Sequence, residues 1–377
     1  MKIALDLRRI KNPGIGRYMK CLAEAVLARA PEHDYLLILG SGRCEVVGFE
    51  DRQVEIVNAS SKYYSLREQV ELPRLLRRHK VDVLHSPHFN IPVVRTCPIV
   101  VTVHDVIYLA CRQDLPSRLG RLYYRAMMAA SVRRSERVLT DSEFSKNDIV
   151  RYLDADPEKI DVVYPAVDPV FEQVTDRGKI EAVLSRYRLD EDYILYAGIY
   201  RPRKNHAGLL RAFRQFLKSG AQCKLVLAGP LAEGEAELLG LASELGVANR
   251  VVVTGFVPDS DLPALYSAAR VYACPSLYEG FGFTVLEAMA CAVPVVCSEA
   301  TSLPEVAGDA ALYAEAQHPE EFATALQRAF FEPELRQKLI ENGLKNCRRF
   351  SWQSAAEAAL DAYHRAAALS PEKAVCA

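Results

Sequence analysis

The string Glu279-Gly-Phe-Gly-Phe-Thr-Val-Leu-Glu287 sets two carboxylates around a glycine-rich turn. It directly follows an apolar run and a short loop, Cys274-Pro275-Ser276-Leu277-Tyr278. Gly280 and Gly282 free the backbone at that turn. The residues from about Thr284 onward read as a helix. A strand, a glycine turn and a helix N-terminus together form an anion site. The amides of Phe281, Gly282 and Phe283 would point at a phosphate with the helix dipole behind them. Glu279 stands just before the turn, and Glu287 about one helical turn inside it. One carboxylate can therefore reach one end of a nucleotide-linked ligand and the second the other end. A Glu-x7-Glu spacing by itself is common and would fit an ordinary loop followed by a solvated helix face. The strand before it and the apolar string around it make the stronger case.

Ala197-Gly198-Ile199-Tyr200-Arg201-Pro202-Arg203-Lys204-Asn205 follows a second apolar run and opens another helix. Cations at a helix start run against the dipole unless an anion is present. Arg203 and Lys204 could neutralise a diphosphate and the charge that grows on it as it leaves. Two further segments end strands in the first half. Asn12-Pro13-Gly14-Ile15-Gly16-Arg17-Tyr18 is a bare Gly-x-Gly, a weak signal without its position. Thr102-Val103-His104-Asp105 could equally be a capping His-Asp pair. Thr140-Asp141-Ser142-Glu143 reads as a capped helix start. Asp154 and Asp156 flank Pro157 and read as turn chemistry, not as metal ligands.

The elements that must position these residues alternate along the chain. Strands are expected at 2–6, 35–39, 54–57, 81–84, 98–103 and 137–140, with helices near 16–30, 66–79, 117–134 and 142–153. The rhythm breaks between about 165 and 190, which reads as a linker. It resumes with strands at 193–197, 224–228, 251–254, 270–274, 293–297 and 311–313. Helices are expected there at 205–219, 234–245, 260–268, 284–291, 319–331, 333–347 and 351–368. The Val/Ile-rich strands suit burial on both faces, hence parallel sheets. Two successive βαβ series give an α/β chain of two doubly wound Rossmann-like domains. Such sheets bind ligands at the carboxyl ends of their strands, where the motifs above fall.

The 377 residues suit two domains, and a net charge of -1 offers no field for nucleic acid. A slight excess of Lys and Arg in residues 1–165 is either scatter or a surface for anionic partners. The ten cysteines lack metal or redox spacing, and Cys274, Cys291 and Cys297 sit in apolar runs as small hydrophobes. That usage suggests a reducing, cytoplasmic compartment. The N-terminus has no signal-peptide core, and no run approaches the ~20 apolar residues of a membrane span. The helix at 117–134 mixes Arg118, Arg121, Arg125, Arg133 and Arg134 with Leu119, Leu122, Tyr123, Tyr124, Met127 and Met128. It reads either as a core helix with a basic edge or as a peripheral contact with the inner face of an anionic membrane.

The Glu279–Ala290 string, with its preceding strand, resembles the donor-site signature of the family 4 retaining glycosyltransferases of the GT-B fold. The Arg203-Lys204-Asn205 segment, the Gly14–Gly16 loop and the His104 strand end match further family motifs. The match runs over nearly the whole chain. One departure is Ile199, where many relatives place an arginine after the first glycine. The resemblance implies domains of 1–170 (acceptor), 185–350 (nucleotide-sugar donor) and 351–377 (a helix crossing back to the first), facing across a cleft. It implies a nucleoside-diphosphate sugar as co-substrate, without metal or other cofactor. Glu287 would bind the ribose, and Phe256 and Val257 would border the base. Arg203, Lys204 and the amides from Phe281 to Thr284 would hold the diphosphate, with Gly14 and Gly16 against it. Glu279 and His104 would position the sugar, and His85 and His88 would be loop histidines on the acceptor side. The acceptor hydroxyl would attack on the face the phosphate leaves, the leaving oxygen serving as base.

The segments look most like relatives using GDP-mannose or a GDP-deoxyhexose in bacterial polysaccharide assembly, with an oligosaccharide or lipid-linked saccharide acceptor. Two other classes share the architecture. A nucleotide-sugar epimerase fits the double Rossmann plan but not the Glu279/Glu287 pair. A catalytically silent sugar-nucleotide-binding subunit would not need the motifs intact. A nicotinamide dehydrogenase lacks its Gly-x-Gly-x-x-Gly after the first strand.

Overall fold

A computed structural model describes residues 1–12, 14–40, 54–112, 114–115, 117–231 and 234–369. Pro13 of the first glycine loop and residues 370–377 of the C-terminal segment lie outside the described residues. The described chain divides into two compact units. One comprises the described residues of Met1–Ala110, Leu115–Pro165 and Phe350–Ala377. The other comprises those of Cys111–Asp114 and Ala166–Arg349.

The first unit runs β1 (Lys2–Asp6), α1 (Ile15–Arg29), β2 (Asp34–Gly40), β3 (Val54–Ala59), α2 (Glu68–Arg78), β4 (Val83–Ser86), β5 (Ile99–Thr102), α3 (Ile107–Ala110), α4 (Arg118–Arg134), β6 (Arg137–Thr140), α5 (Glu143–Leu153) and β7 (Ile160–Val162). Among the described residues its sheet has the order β3-β2-β1-β4-β5-β6-β7, every pair parallel. Leu36, Leu37 and Ile38 of β2 are buried in succession. A strand covered on both faces has no solvent side, so its apolar residues run on instead of alternating.

The second unit runs α6 (Arg177–Arg186), β8 (Tyr193–Ala197), α7 (His206–Leu217), β9 (Lys224–Ala228), α8 (Glu235–Glu244), β10 (Val251–Gly255), α9 (Leu262–Ser267), β11 (Val271–Cys274), α10 (Phe283–Ala290), β12 (Val295–Ser298), α11 (Leu303–Ala307), β13 (Ala311–Ala314), α12 (Pro319–Phe331) and α13 (Pro333–Cys347). Its parallel sheet has the order β10-β9-β8-β11-β12-β13. In both sheets the strand order reverses beside the first strand laid down, which opens a crevice at the carboxyl ends. The last helix, α14 (Trp352–Ala368), belongs to the first unit and packs along α1.

Several elements differ from the sequence expectation. The segment at 165–190 is not a bare linker, because α6 forms within it. Asp176 caps α6 by accepting from the amides of Gly178 and Lys179, and the helix packs on α9. An Asp followed by ten residues of weak periodicity gives little pattern to read, since only Val183 of α6 is buried. The short β7, α3 and α11 lie outside the expected elements. Each has three to five residues, below the length at which periodicity speaks.

Candidate active site

In the second unit the two sequence-predicted segments meet through the backbone. The amide of Leu277 donates to the carbonyl of Arg203 at 2.7 Å. Asn205 adopts the left-handed conformation that its residue type tolerates (φ 55) and caps α7 by accepting from Gly208. Its side-chain amide donates to the carbonyls of Pro275 (3.2 Å) and Ala316 (2.7 Å). Asn205 thereby fastens the cationic turn to the Pro-Ser loop after β11.

Glu279 comes to rest beside Lys204. Its Oε1 accepts from Lys204 Nζ at 2.6 Å and from Ser276 Oγ at 2.6 Å. The carboxylate is buried, which works against its charge. Lys204, then Arg203, and the hydrogen bonds from Lys204 and Ser276 outweigh that burial and hold the carboxyl below its usual range. Glu279 is therefore an anion. The turn around it is strapped down by two residues outside the sequence motifs. Thr301 Oγ1 accepts from the Glu279 amide (2.9 Å), and Ser302 Oγ donates to the carbonyls of Glu279 and Phe281 (2.9 Å each). Ser298 donates to the carbonyl of Ser276. The signal for these was their place after β12, the strand next to β11.

Arg203 lies 3.1 Å, Nε to Oδ2, from Asp114, at ion-pair distance without hydrogen-bond alignment. Its Nη1 is buried with no partner among the described residues. A guanidinium nitrogen shielded from water and unsatisfied costs free energy. Gly282 caps α10 at φ +108, and a Cβ there would stand 2.8 Å from Leu303 Cδ2. Phe281 is buried and its ring meets that of Phe283 edge-on at 5.1 Å, while Phe283 and Thr284 are half-buried. Glu287 is buried on the first turns of α10 and accepts from Tyr266 Oη at 3.1 Å. After β10, Phe256 is 72% exposed whereas its neighbour Val257 is buried. The pair therefore cannot act alike: Phe256 offers a free ring, and Val257 packs inward.

In the first unit His104 follows β5. Its Nδ1 lies 2.8 Å from Asp141 Oδ2 and its Nε2 3.3 Å from the carbonyl of Pro87. Both partners are acceptors, an arrangement that favours the doubly protonated ring. Burial opposes that charge, but Asp141 overcomes it and raises the histidine above its ordinary value. The sequence places Asp141 in a capped helix start, without a link to His104. Ser142 does cap α5, accepting from Ser145, while Asp141 turns to the histidine. The Tyr18 ring stands edge-on to His104 at 4.7 Å.

The glycine loop splits in its reasons. Gly14 sits at φ +76 with open space where a Cβ would be, whereas a Cβ on Gly16 would lie 2.0 Å from the carbonyl oxygen of Ile10. Gly16 answers a backbone crossing, and Gly14 is the one with room for a ligand. His85 is not a loop histidine. It is buried in β4, bonded to Thr102 Oγ1 at 2.8 Å and to Tyr363 Oη of α14 at 2.7 Å, and burial drives it down to about 3. His88 does lie after β4. Burial, then Arg9, lower it to about 3, so it is neutral. The described cysteines are free thiols, and burial raises those of Cys274, Cys291 and Cys297.

Two family profiles divide the chain between them. "Glycosyltransferase Family 4" matches residues 14–171 and "Glycosyl transferases group 1" matches residues 184–346. O-antigen chain mannosyltransferase B of Escherichia coli is 32% identical over 96% of this chain and 99% of its own. The chain belongs to the family 4 glycosyltransferases. A D-inositol 3-phosphate glycosyltransferase of Segniliparus rotundus is 28% identical over 78% of this glycosyltransferase and 66% of the relative. Among solved structures, HepE of Anabaena, crystallised with UDP and glucose, superposes with a TM-score of 0.75. It shares 19% identity over 96% of this chain and 98% of that one. The two parallel α/β units are thus those of the GT-B fold, and the chain is an enzyme that transfers a glycosyl group. No described helix is long and apolar enough to cross a membrane.

Proposed function

We propose that this glycosyltransferase moves mannose, or a related deoxyhexose, from its GDP-linked form to a hydroxyl of a growing, lipid-linked bacterial polysaccharide, with retention of anomeric configuration. The observation that carries the donor reading is the cluster of Glu279, Lys204 and the buried, unpartnered Nη1 of Arg203. A diphosphate would satisfy that nitrogen and draw Lys204 into a second ion pair. The α10 N-terminus behind Gly282 adds its dipole. These donors are all cationic or amide, so they suit the diphosphate without a metal ion between. Glu287 takes the ribose hydroxyls and the free ring of Phe256 borders the base. Mannose as the sugar is supported by the end-to-end relation to the E. coli mannosyltransferase.

In the transfer, the bond from the anomeric carbon to the phosphate oxygen breaks while the acceptor oxygen bonds to that carbon on the same face. The acceptor proton passes to the departing phosphate oxygen. Glu279 holds the sugar hydroxyls. A thermal-shift series with GDP, UDP, ADP and dTDP, without added metal, tests the donor site. Stabilisation by GDP above the others supports the reading, and no shift with any diphosphate sinks it. Glu279→Gln should then lower turnover by roughly 10²–10³ while leaving the GDP-induced shift nearly intact; equal loss of both would remove its assigned role.

The lipid-linked acceptor also calls for a membrane surface, which α4 can supply. Leu119 (80%), Leu122 (65%) and Tyr123 (60%) are exposed on it beside the exposed Arg118, Arg125 and Arg133. Apolar tips among arginines suit an anionic bilayer. Sedimentation with phosphatidylglycerol vesicles, but not with neutral ones, is the expected result. The epimerase and silent-subunit readings gain nothing from the family assignment.

A further inference from the structure

The carboxyl edge of the first sheet carries a row of aromatic rings that the donor chemistry does not use. Tyr63 and Tyr64 precede α2, His88 and Phe89 follow β4, Tyr108 lies in α3 after β5, and Tyr124 lies in α4. The ring centroids run Tyr64–His88 6.2 Å, His88–Phe89 4.2 Å, Phe89–Tyr124 5.3 Å and Tyr124–Tyr108 5.2 Å. Tyr64 is 48% exposed and Tyr108 37%. His88, within the row, adjoins Pro87, whose carbonyl lies 3.3 Å from His104 Nε2. The row is therefore contiguous with the reacting end of this unit.

The base of the row is rigid and its rim is charged. Glu68, fully buried, accepts from Asn90 Nδ2 (2.8 Å) and from the amide of Tyr64 (2.8 Å), and pairs with the Arg8 guanidinium at 2.7 Å. Arg8 is in turn held in two bonds by buried Asp6, at 2.7 Å each. The bond to Glu68 fixes Tyr64 at φ +62, a left-handed conformation disfavoured for a tyrosine. Backbone strain of this kind persists where surrounding structure imposes it, and here it thrusts a ring toward solvent. Arg9 Nη1 donates to neutral His88 Nε2 at 2.6 Å and lies 3.5 Å from Tyr64 Oη. Among the described residues Arg9 meets no carboxylate; its guanidinium stands 5.0 Å from the centroid of the Tyr63 ring, and its Nη2 and Nε have no hydrogen-bond partner there.

A pyranose has an apolar C–H face and a rim of hydroxyl oxygens. A half-exposed ring beside a cation with spare donors matches both. We propose that Arg9, Tyr64 and Tyr108, carried on His88, Phe89 and Tyr124, form the subsite that grips the acceptor saccharide, with its ring against Tyr64 and its oxygens on Arg9. This rests on the glycosyltransferase reading above, but it concerns only acceptor binding.

The test is saturation-transfer NMR with octyl α-mannoside, octyl β-glucoside and octyl β-galactoside, together with the GDP thermal shift on the same samples. Wild-type protein should saturate the ring protons of at least one glycoside. Tyr64→Asn keeps a residue that accepts the left-handed backbone but removes the ring; it should weaken that binding at least tenfold, as should Arg9→Gln. Tyr64→Phe should bind as the wild type does. The GDP shift should stay unchanged in all three. No binding of any glycoside by the wild type, or binding undiminished in Tyr64→Asn and Arg9→Gln, overturns the subsite. A missing GDP shift in the wild type instead strikes the donor reading, which separates the two failures.

Discussion

Two acceptors favour the protonated form of a half-buried histidine, and His104 has Asp141 on one nitrogen and the carbonyl of Pro87 on the other. Its raised value fixes a direction for pH dependence. The stabilisation it brings is complete below the ordinary histidine range, near 6.5, and is lost as pH rises through the higher folded value. Asp141→Asn should therefore cost stability mainly on the acidic side of that window. The difference in melting temperature between wild type and Asp141→Asn should be larger at pH 6 than at pH 9. A constant difference would mean that the pair is an ordinary hydrogen bond. Glu279 shows the opposite sign. Held low by Lys204 and Arg203 against its burial, it stabilises above the ordinary carboxylate range and fails as pH falls through its lowered value.

At the scale of elements, the donor turn depends on one residue's freedom and on one neighbouring strand. Gly282 needs both a positive φ and an absent Cβ. Gly282→Ala should destabilise by about 1–3 kcal/mol through the backbone alone, with the Leu303 contact added. Leu303→Ala, which opens a cavity of its own, should couple to Gly282→Ala only by the contact part. Urea midpoints of the wild type, both single variants and the double variant read this coupling, and a coupling equal to the whole Gly282→Ala loss would show that the conformation is not the constraint. Thr301 and Ser302 act in the same way from the segment after β12, since each holds a backbone group of the turn. Adjacent parallel strands bring their carboxyl-end loops together, so the turn after one strand is fastened by the loop after its neighbour.

Across the whole molecule, the end of the sequence returns to the start. The helix α14 buries Trp352, Leu360 and Tyr363 within the first unit, and Tyr363 bonds His85 in the middle of the sheet. Side chains of this size contribute about 1.5–3 kcal/mol each when buried. A stop after Phe350 should therefore remove most of the margin of a marginally stable unit. It should abolish the near-ultraviolet signal of the tyrosines around His85 or leave the protein insoluble. Tyr363→Phe, which keeps the ring, should lose far less. Similar behaviour of the two would mean that α14 is only a surface addition.

The sequence determined the α/β class, the parallel character of both sheets and most strand positions. Short runs rich in valine and isoleucine, unbroken by polar residues and bounded by turn residues, suit strands covered on both sides. It also determined the Glu279–Glu287 turn and the Arg203-Lys204-Asn205 turn, because glycine, asparagine and a pair of cations are each unusual at such positions. Pairing was beyond its reach. The contact of Lys204 with Glu279, of Asp141 with His104, and of Tyr363 with His85 joins residues 75, 37 and 278 positions apart. Those partners are chosen by strand order, which no local pattern encodes. The same limit hid α6, whose one buried residue left no period, and moved His85 from a loop into the sheet. It hid the aromatic row as well. Its rings come from four separate segments, and only the folded sheet edge makes them neighbours.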